Sequence, residues 1–228
     1  YDEINQSMSL YIEDSELSRL NREAALKPFK CSQLLWDNIM LSKEMYELSE
    51  GYFDVTVGPM MRLWGFYVKK GNVPSEQEIE DVRKITGFDK LILNEADKTI
   101  KFSVPGMVID FGGITKGYAV DLVCEMLEER GHERGLVDLG GNIRVLGTAP
   151  PELEDYPLGL RHPRDKKIEM GDVSLLGNAI STSGNYERFV TYKEVRYPHI
   201  INPHTGRPHM GMASVSVVSE QAVYADGL

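Results

Sequence analysis

A carboxylate, two adjacent glycines and a lysine fall in fixed order where an extended run gives way to a helix: Met107 to Asp121 reads MVIDFGGITKGYAVD. Gly112 and Gly113 lack a Cβ, so a ligand can approach the backbone closely, and the N–H groups that open a helix have no partners within it. Phosphate is a natural guest at such an end. Asp110 on the same rim repels a bare phosphate, which is resolved if a divalent cation lies between the carboxylate and phosphate oxygens. The glycines stand at 112, 113 and 117, not in the G-x-G-x-x-G dinucleotide spacing, so a Rossmann domain is disfavoured. The same run also fits a tight strand-to-helix turn that binds nothing.

With 228 residues, 42% of them apolar, the chain can bury the core of one large domain or of two closely packed lobes. A formal net charge of -10, with Lys and Arg scattered, argues against a nucleic-acid partner, which needs a basic stripe. No apolar run approaches the roughly 20 residues of a membrane span, and no secretory signal is present. The pattern opens at Tyr1 and stops at Leu228 inside a helix, so truncation at both ends is expected. Cys31 and Cys124 match no metal-ligand spacing and read as small buried hydrophobes, with a disulfide open but unsupported.

Ser32 reads as the N-cap of a helix ending near Glu50, with Leu35, Ile39, Met45 and Leu48 on one face and Gly51 as its stop. Tyr52 to Val57 is a short β-type run. Ser75 and Glu78 form a capping box for a helix whose Ile79, Val82 and Ile85 face inward, and Gly87 ends it. Leu91 to Leu93 and Thr99 to Phe102 read as a hairpin, and the helix after Gly113 runs to Gly131. From Gly135 onward short strands dominate, at Leu136–Leu139, Ile143–Leu146, Leu158–Arg161, Val173–Leu176, Val195–Ile201 and Ser214–Val218. Ala149 to Pro157 reads as a surface loop. Two or three helices among many turn-linked strands point to an α+β fold with mainly antiparallel sheets.

Ile180 to Phe189 reads ISTSGNYERF, a polar loop leaving a strand, suited either to phosphate and carbonyl oxygens or to a solvated turn. In YPHIINPHTGRP, Tyr197 to Pro208, His199 stands just before a turn and suits a general base near neutral pH, whereas His204 and His209 face solvent. Tyr52, Phe53, Trp64 and Phe66 offer either a slot for a flat ring or, for most of them, core. Asp226, so near the end of the sequence, reads as a solvated carboxylate.

Taken together these blocks resemble the ApbE family, the FAD:protein FMN transferases once described as thiamine biosynthesis lipoproteins. The likeness runs through MSLYIEDSELSRLN (Met8 to Asn21), GYFDVTVGP and WGF, DFGGITKGYAVD, the GGN of Gly140 to Asn142, ISTSGNYERF, YPHIINPHTGRP and the terminal A-D. The resemblance implies a single domain over 1–228 of two-lobed T-fold type, with flanking helices. It implies a Mg²⁺-dependent enzyme that cleaves FAD and attaches FMN to a Thr or Ser hydroxyl of an acceptor protein, releasing AMP. Carried over by position, Tyr11, Tyr52, Phe53, Asp54, Asp110, Lys116 and Ile201 contact FAD, while the Gly113 carbonyl and Asp226 hold the metal. Lys116 neutralises phosphate charge, and His199 is the general-base candidate. A family Met-Gly-Thr segment would precede Tyr1, and a metal-binding threonine would follow Asp226 by four residues; both lie outside this sequence. The implied acceptors are subunits of respiratory redox complexes carrying a Ser/Thr-Gly-Ala-Ser/Thr type motif, met on the outer side of a bacterial membrane by a lipid-anchored protein. Mg²⁺-dependent FAD hydrolysis to FMN and AMP, or flavin binding without catalysis, are the alternatives.

Overall fold

The structure, a computed structural model, describes residues 2–68, 70–149, 153, 155–165, 167–186 and 188–228. Residues 150–152 and 154 of the expected surface loop lie outside that set. In chain order the helices are α1 (Asp2–Met8), α2 (Glu16–Glu23), α3 (Gln33–Leu48), α4 (Gly58–Leu63), α5 (Glu76–Lys84), α6 (Thr115–Glu129) and α7 (Ala222–Gly227). The strands are β1 (Phe29–Lys30), β2 (Leu91–Asn94), β3 (Thr99–Phe102), β4 (Gly135–Leu139), β5 (Asn142–Leu146), β6 (Tyr156–Arg161) and β7 (Glu169–Leu175). They continue with β8 (Ala179–Gly184), β9 (Phe189–Tyr192), β10 (Val195–Pro198), β11 (Ile201–Asn202), β12 (Arg207–Pro208) and β13 (Ser214–Ser219). Among the described residues all strand pairs are antiparallel apart from an isolated parallel bridge between Val57 and Val108. The chain is α+β, as its patterning implies.

Two compact units divide it, one made of residues 1–113 and 188–210, the other of 114–187 and 211–228. The first is more helical than the sequence implies. Its core gathers Met60, Trp64, Phe66, Ile79, Val190 and Ile201 around α4 and α5. The capping box on α5 is present in both directions, Ser75 to the Glu78 N–H and Glu78 back to the Ser75 N–H. Ser32 caps α3 by accepting from the Leu35 N–H, yet Leu48 is 60% exposed and belongs to no core face. It falls in the last turn, where the helix has run past its packing partners. Tyr52 to Val57 is not a strand: Asp54 draws its own loop inward, accepting from the N–H and hydroxyl of Thr56 at 2.7 and 2.6 Å.

In the second unit the sheet runs β13-β8-β5-β4. Side chains of a strand alternate between faces, and here the alternation has two covers. Leu146 and Ala179 pack with Val120 and Cys124 of α6 and Ala222 of α7, while their neighbours Val145 and Ile180 pack with Leu175 of β7. Helices cover one face and the β6–β7 hairpin the other. Because Asn142 pairs with Ser181 and Arg144 with Ala179, all four residues point to the helix face. The three hydroxyls expected in a loop therefore lie within β8 and separate: Ser181 is buried under the helices, and Thr182 meets Ser216 across the strand pair at 2.7 Å. Both cysteines are buried free thiols, and burial pushes Cys31 up to about 12.

Candidate functional site

Ile114, the N-cap of α6, has no side-chain oxygen to satisfy the helix's first donors. Asp226 from α7 supplies one instead. Its Oδ2 accepts from the Gly117 N–H at 2.9 Å and its Oδ1 from Lys116 Nζ at 2.9 Å. The carboxylate expected in solvent is thus only 4% exposed. The arrangement is reciprocal. Gln221 offers α7 no side-chain cap, and Asp121 of α6 fills that role, accepting from the Ala222 and Val223 N–H groups at 2.9 and 2.8 Å. Gly117 and Asp121 stand one turn apart on α6, and Asp226 and Ala222 one turn apart on α7, so the helices lie antiparallel and each neutralises the other's positive end.

Gly117 permits that approach. A Cβ there would come within 2.3 Å of the Ala222 carbonyl oxygen and 2.8 Å of the Asp226 Cβ. Beneath the pair, Arg144 donates to Asp121 at 2.7 Å. Asp121→Ala strands this guanidinium and uncaps α7; loss of one partner of a buried ion pair costs about 3–5 kcal/mol. A thermal or urea melt of this variant is expected to register that loss, and an unchanged midpoint contradicts the capping role.

Asn142 completes the cluster. With its amide oriented to satisfy both ends, Nδ2 donates to Asp226 Oδ1 at 2.9 Å and to Ser181 Oγ at 2.8 Å, while Oδ1 accepts from Lys116 Nζ at 2.6 Å. Two of the expected site residues, Lys116 and Asp226, are thereby brought together with Asn142, which sequence reasoning left without a role, and with Ser181 of the hydroxyl run.

The other expected residues belong to the first unit. Asp110 accepts from the Gly112 N–H at 2.8 Å through Oδ1 and from the Tyr67 hydroxyl at 2.7 Å through Oδ2. Burial, then the Asp110 charge, pushes the Tyr67 hydroxyl far above the usual phenol range, so it remains a donor. Sequence reasoning missed Tyr67; its only signal was its place beside the WGF run. The Asp110 N–H donates to the Val55 carbonyl at 2.7 Å, which brings Asp110 beside the 52–55 segment. A Cβ on Gly113 would lie 3.4 Å from the Phe53 ring, so Phe53, Asp110 and Gly113 are neighbours. Tyr52 is 62% exposed and meets the His204 ring edge-on at 4.6 Å. Trp64, Phe66 and Ile201 are core. Asp54 is buried; burial raises its carboxyl above the usual range against hydrogen bonds from Thr56 and Phe88 that pull it down.

Tyr11 is exposed, its hydroxyl accepting from Arg188 at 3.4 Å. The Arg188 carbonyl in turn accepts the His199 N–H at 3.1 Å and lies 3.0 Å from His199 Nδ1. His199 stands between β10 and β11, where the single expected run breaks. A carbonyl oxygen can only accept, so in the neutral ring the proton sits on Nδ1 and Nε2 is the basic nitrogen.

The mixed helix and antiparallel sheet architecture matches solved structures of ApbE proteins. The fold superposes on an ApbE protein from Thermotoga maritima with a TM-score of 0.90 at 32% identity, covering 98% of this chain and 72% of that one. The FAD:protein FMN transferase of Vibrio cholerae is 35% identical over 231 residues, covering 100% of this chain and 68% of the relative; that of Escherichia coli K12 is 31% identical, covering 99% and 66%. The chain belongs to the ApbE family, which it matches over residues 1–228. It spans about two thirds of the length of these relatives.

Proposed function

We propose that this chain carries the core of a Mg²⁺-dependent FAD:protein FMN transferase, placing FMN on a Ser or Thr hydroxyl of an acceptor protein and releasing AMP. The observation that carries the reading is the Lys116–Asp226 pair at the first turn of α6, its carboxylate buried and its ammonium half exposed, which joins a phosphate-seeking cation to a hard oxygen ligand. The donor chemistry suits Mg²⁺. Lys116 Nζ already rests among carboxylate and amide oxygens, the atoms a hard cation takes. Among the described residues no three or more His, Cys, Asp or Glu form a group that could hold a metal ion, and Mg²⁺ characteristically uses one or two carboxylates together with substrate phosphates. Asp226 and the Gly113 carbonyl would hold it. When bound, Mg²⁺ supplies charge neutralisation at the diphosphate.

The rest falls to the chain's own residues. Lys116 offsets charge on the phosphates, and His199 Nε2 takes the proton of the acceptor hydroxyl as its oxygen bonds to the FMN phosphorus. The bond from that phosphorus to the bridging oxygen breaks, and AMP leaves with the oxygen. Phe53 and Asp110 would contact FAD, whereas Asp54 would act by shaping the loop that presents Phe53. Respiratory redox subunits with a Ser/Thr-Gly-Ala-Ser/Thr type motif are the proposed acceptors, and a lipid-anchored extracytoplasmic setting belongs to the same proposal. Among the described residues no helix is long and apolar enough to cross a membrane.

Intact-mass measurement of such an acceptor, incubated with the full-length protein, FAD and Mg²⁺, tests this. An FMN-sized adduct is expected, absent with EDTA and absent on an acceptor whose motif lacks its terminal hydroxyl. Free FMN and AMP without adduct would identify a hydrolase, and intact FAD a flavin-binding protein.

A further inference from the structure

We infer that Asn142, the last residue of the GGN segment, is a positioning residue that fixes Lys116 and Asp226 relative to each other, an inference that rests on the transferase reading above. Asn142 is 2% exposed and opens β5, at the register position opposite Ser181. One end of its amide accepts and the other donates. Lys116 holds only donors and Asp226 only acceptors, and an amide is a neutral group whose two ends satisfy both at once. The distances, 2.6 Å to Lys116 Nζ, 2.9 Å to Asp226 Oδ1 and 2.8 Å to Ser181 Oγ, use both ends of it. A buried amide with these partners is costly to misplace, and the sheet backbone that carries it is fixed on both sides by β4 and β8. The turn before it explains the two preceding glycines: Gly140 and Gly141 have φ of 62° and 90°, the left-handed region that glycine enters without a Cβ penalty. The tight turn brings the chain into β5 with Asn142 as its first residue under α6 and α7.

Asn142→Ala and Asn142→Leu test this in the full-length protein, the second keeping the volume while removing both polar ends. A misplacement of about 1 Å can cost about 10²-fold in such sites, so kcat for AMP release is expected to fall about 10²-fold in both variants, with a smaller change in the KM for FAD. Without FAD or Mg²⁺, acylation of Lys116 by an amine-directed reagent, read by peptide mass spectrometry, is expected to rise several-fold as its oxygen partner is lost. Turnover restored in Asn142→Leu would show a packing role and overturn the inference, as would unchanged Lys116 labelling in both variants. If Asn142→Ala does not fold, Asn142→Leu alone decides. Lys116→Ala and Asp226→Ala run alongside: full turnover in both removes this pair from the site and overturns the inference with it, absence of an FMN adduct with the parent protein sinks the transferase reading itself, and loss in both with wild-type behaviour at 142 sinks only the positioning role.

Discussion

Replacing Asp226 by alanine is expected to abolish Mg²⁺-dependent turnover and to lower the thermal midpoint with it. The second half follows from the structure alone. The carboxylate is almost wholly enclosed and takes the Gly117 N–H, the Lys116 ammonium and the Asn142 amide. Its removal leaves buried donors unpaired at about 1–3 kcal/mol, moderated because Lys116 is half exposed and can turn to water. For a chain of this size each kcal/mol moves the midpoint by about 2–4 °C. Asp226→Asn separates the two effects. Asparagine keeps the shape and one oxygen but turns its NH2 toward a donor, so only part of the midpoint should return, while the lost charge should leave turnover near zero. A midpoint unmoved in Asp226→Ala would mean that the carboxylate is not seated as described, and full activity would remove it from the proposed metal ligands.

His199→Ala is expected to cut transfer by about 10²- to 10⁴-fold, the usual contribution of a general base, while the KM for FAD stays near that of the parent. The geometry favours this over a structural role because the contact with Arg188 fixes the tautomer and leaves Nε2 as the proton acceptor of the neutral ring. Steady-state measurement of AMP release at saturating acceptor would decide. Were KM alone to rise, His199 would be a binding residue.

Features with nearby partners were legible in the sequence. The capping box at Ser75 and Glu78, the Ser32 cap, the β2–β3 hairpin and the glycine that ends α6 each involve residues within a few positions of one another. The double glycine likewise announced the start of α6, with Lys116 in its first turn. Distant pairings were not legible. Asp226 reads as solvated because nothing near it in sequence accounts for its charge; the N–H it accepts is 109 residues away. Asp121 reads as one more helical residue, and its buried role depends on Arg144 and on the start of α7. Ser181, Thr182 and Ser183 read as a loop because hydroxyls and glycine favour turns. Pairing with β5 and β13 overrode that preference and sent neighbouring hydroxyls to opposite faces.

The interlock of α6 and α7 also sets a schedule. Lys116 and Asp226 are 110 residues apart, and α7, at six residues, is too short to hold a helical form without a partner. On the ribosome, at roughly 5–20 residues per second, α6 emerges on the order of 5–20 s before the segment that caps it. During that interval Asp121 is a carboxylate without its helix end and Lys116 a cation without its carboxylate. The nascent chain carries Lys116 early and gains Asp226 only 110 residues later, so the paired arrangement of the two forms late in the synthesis of this segment.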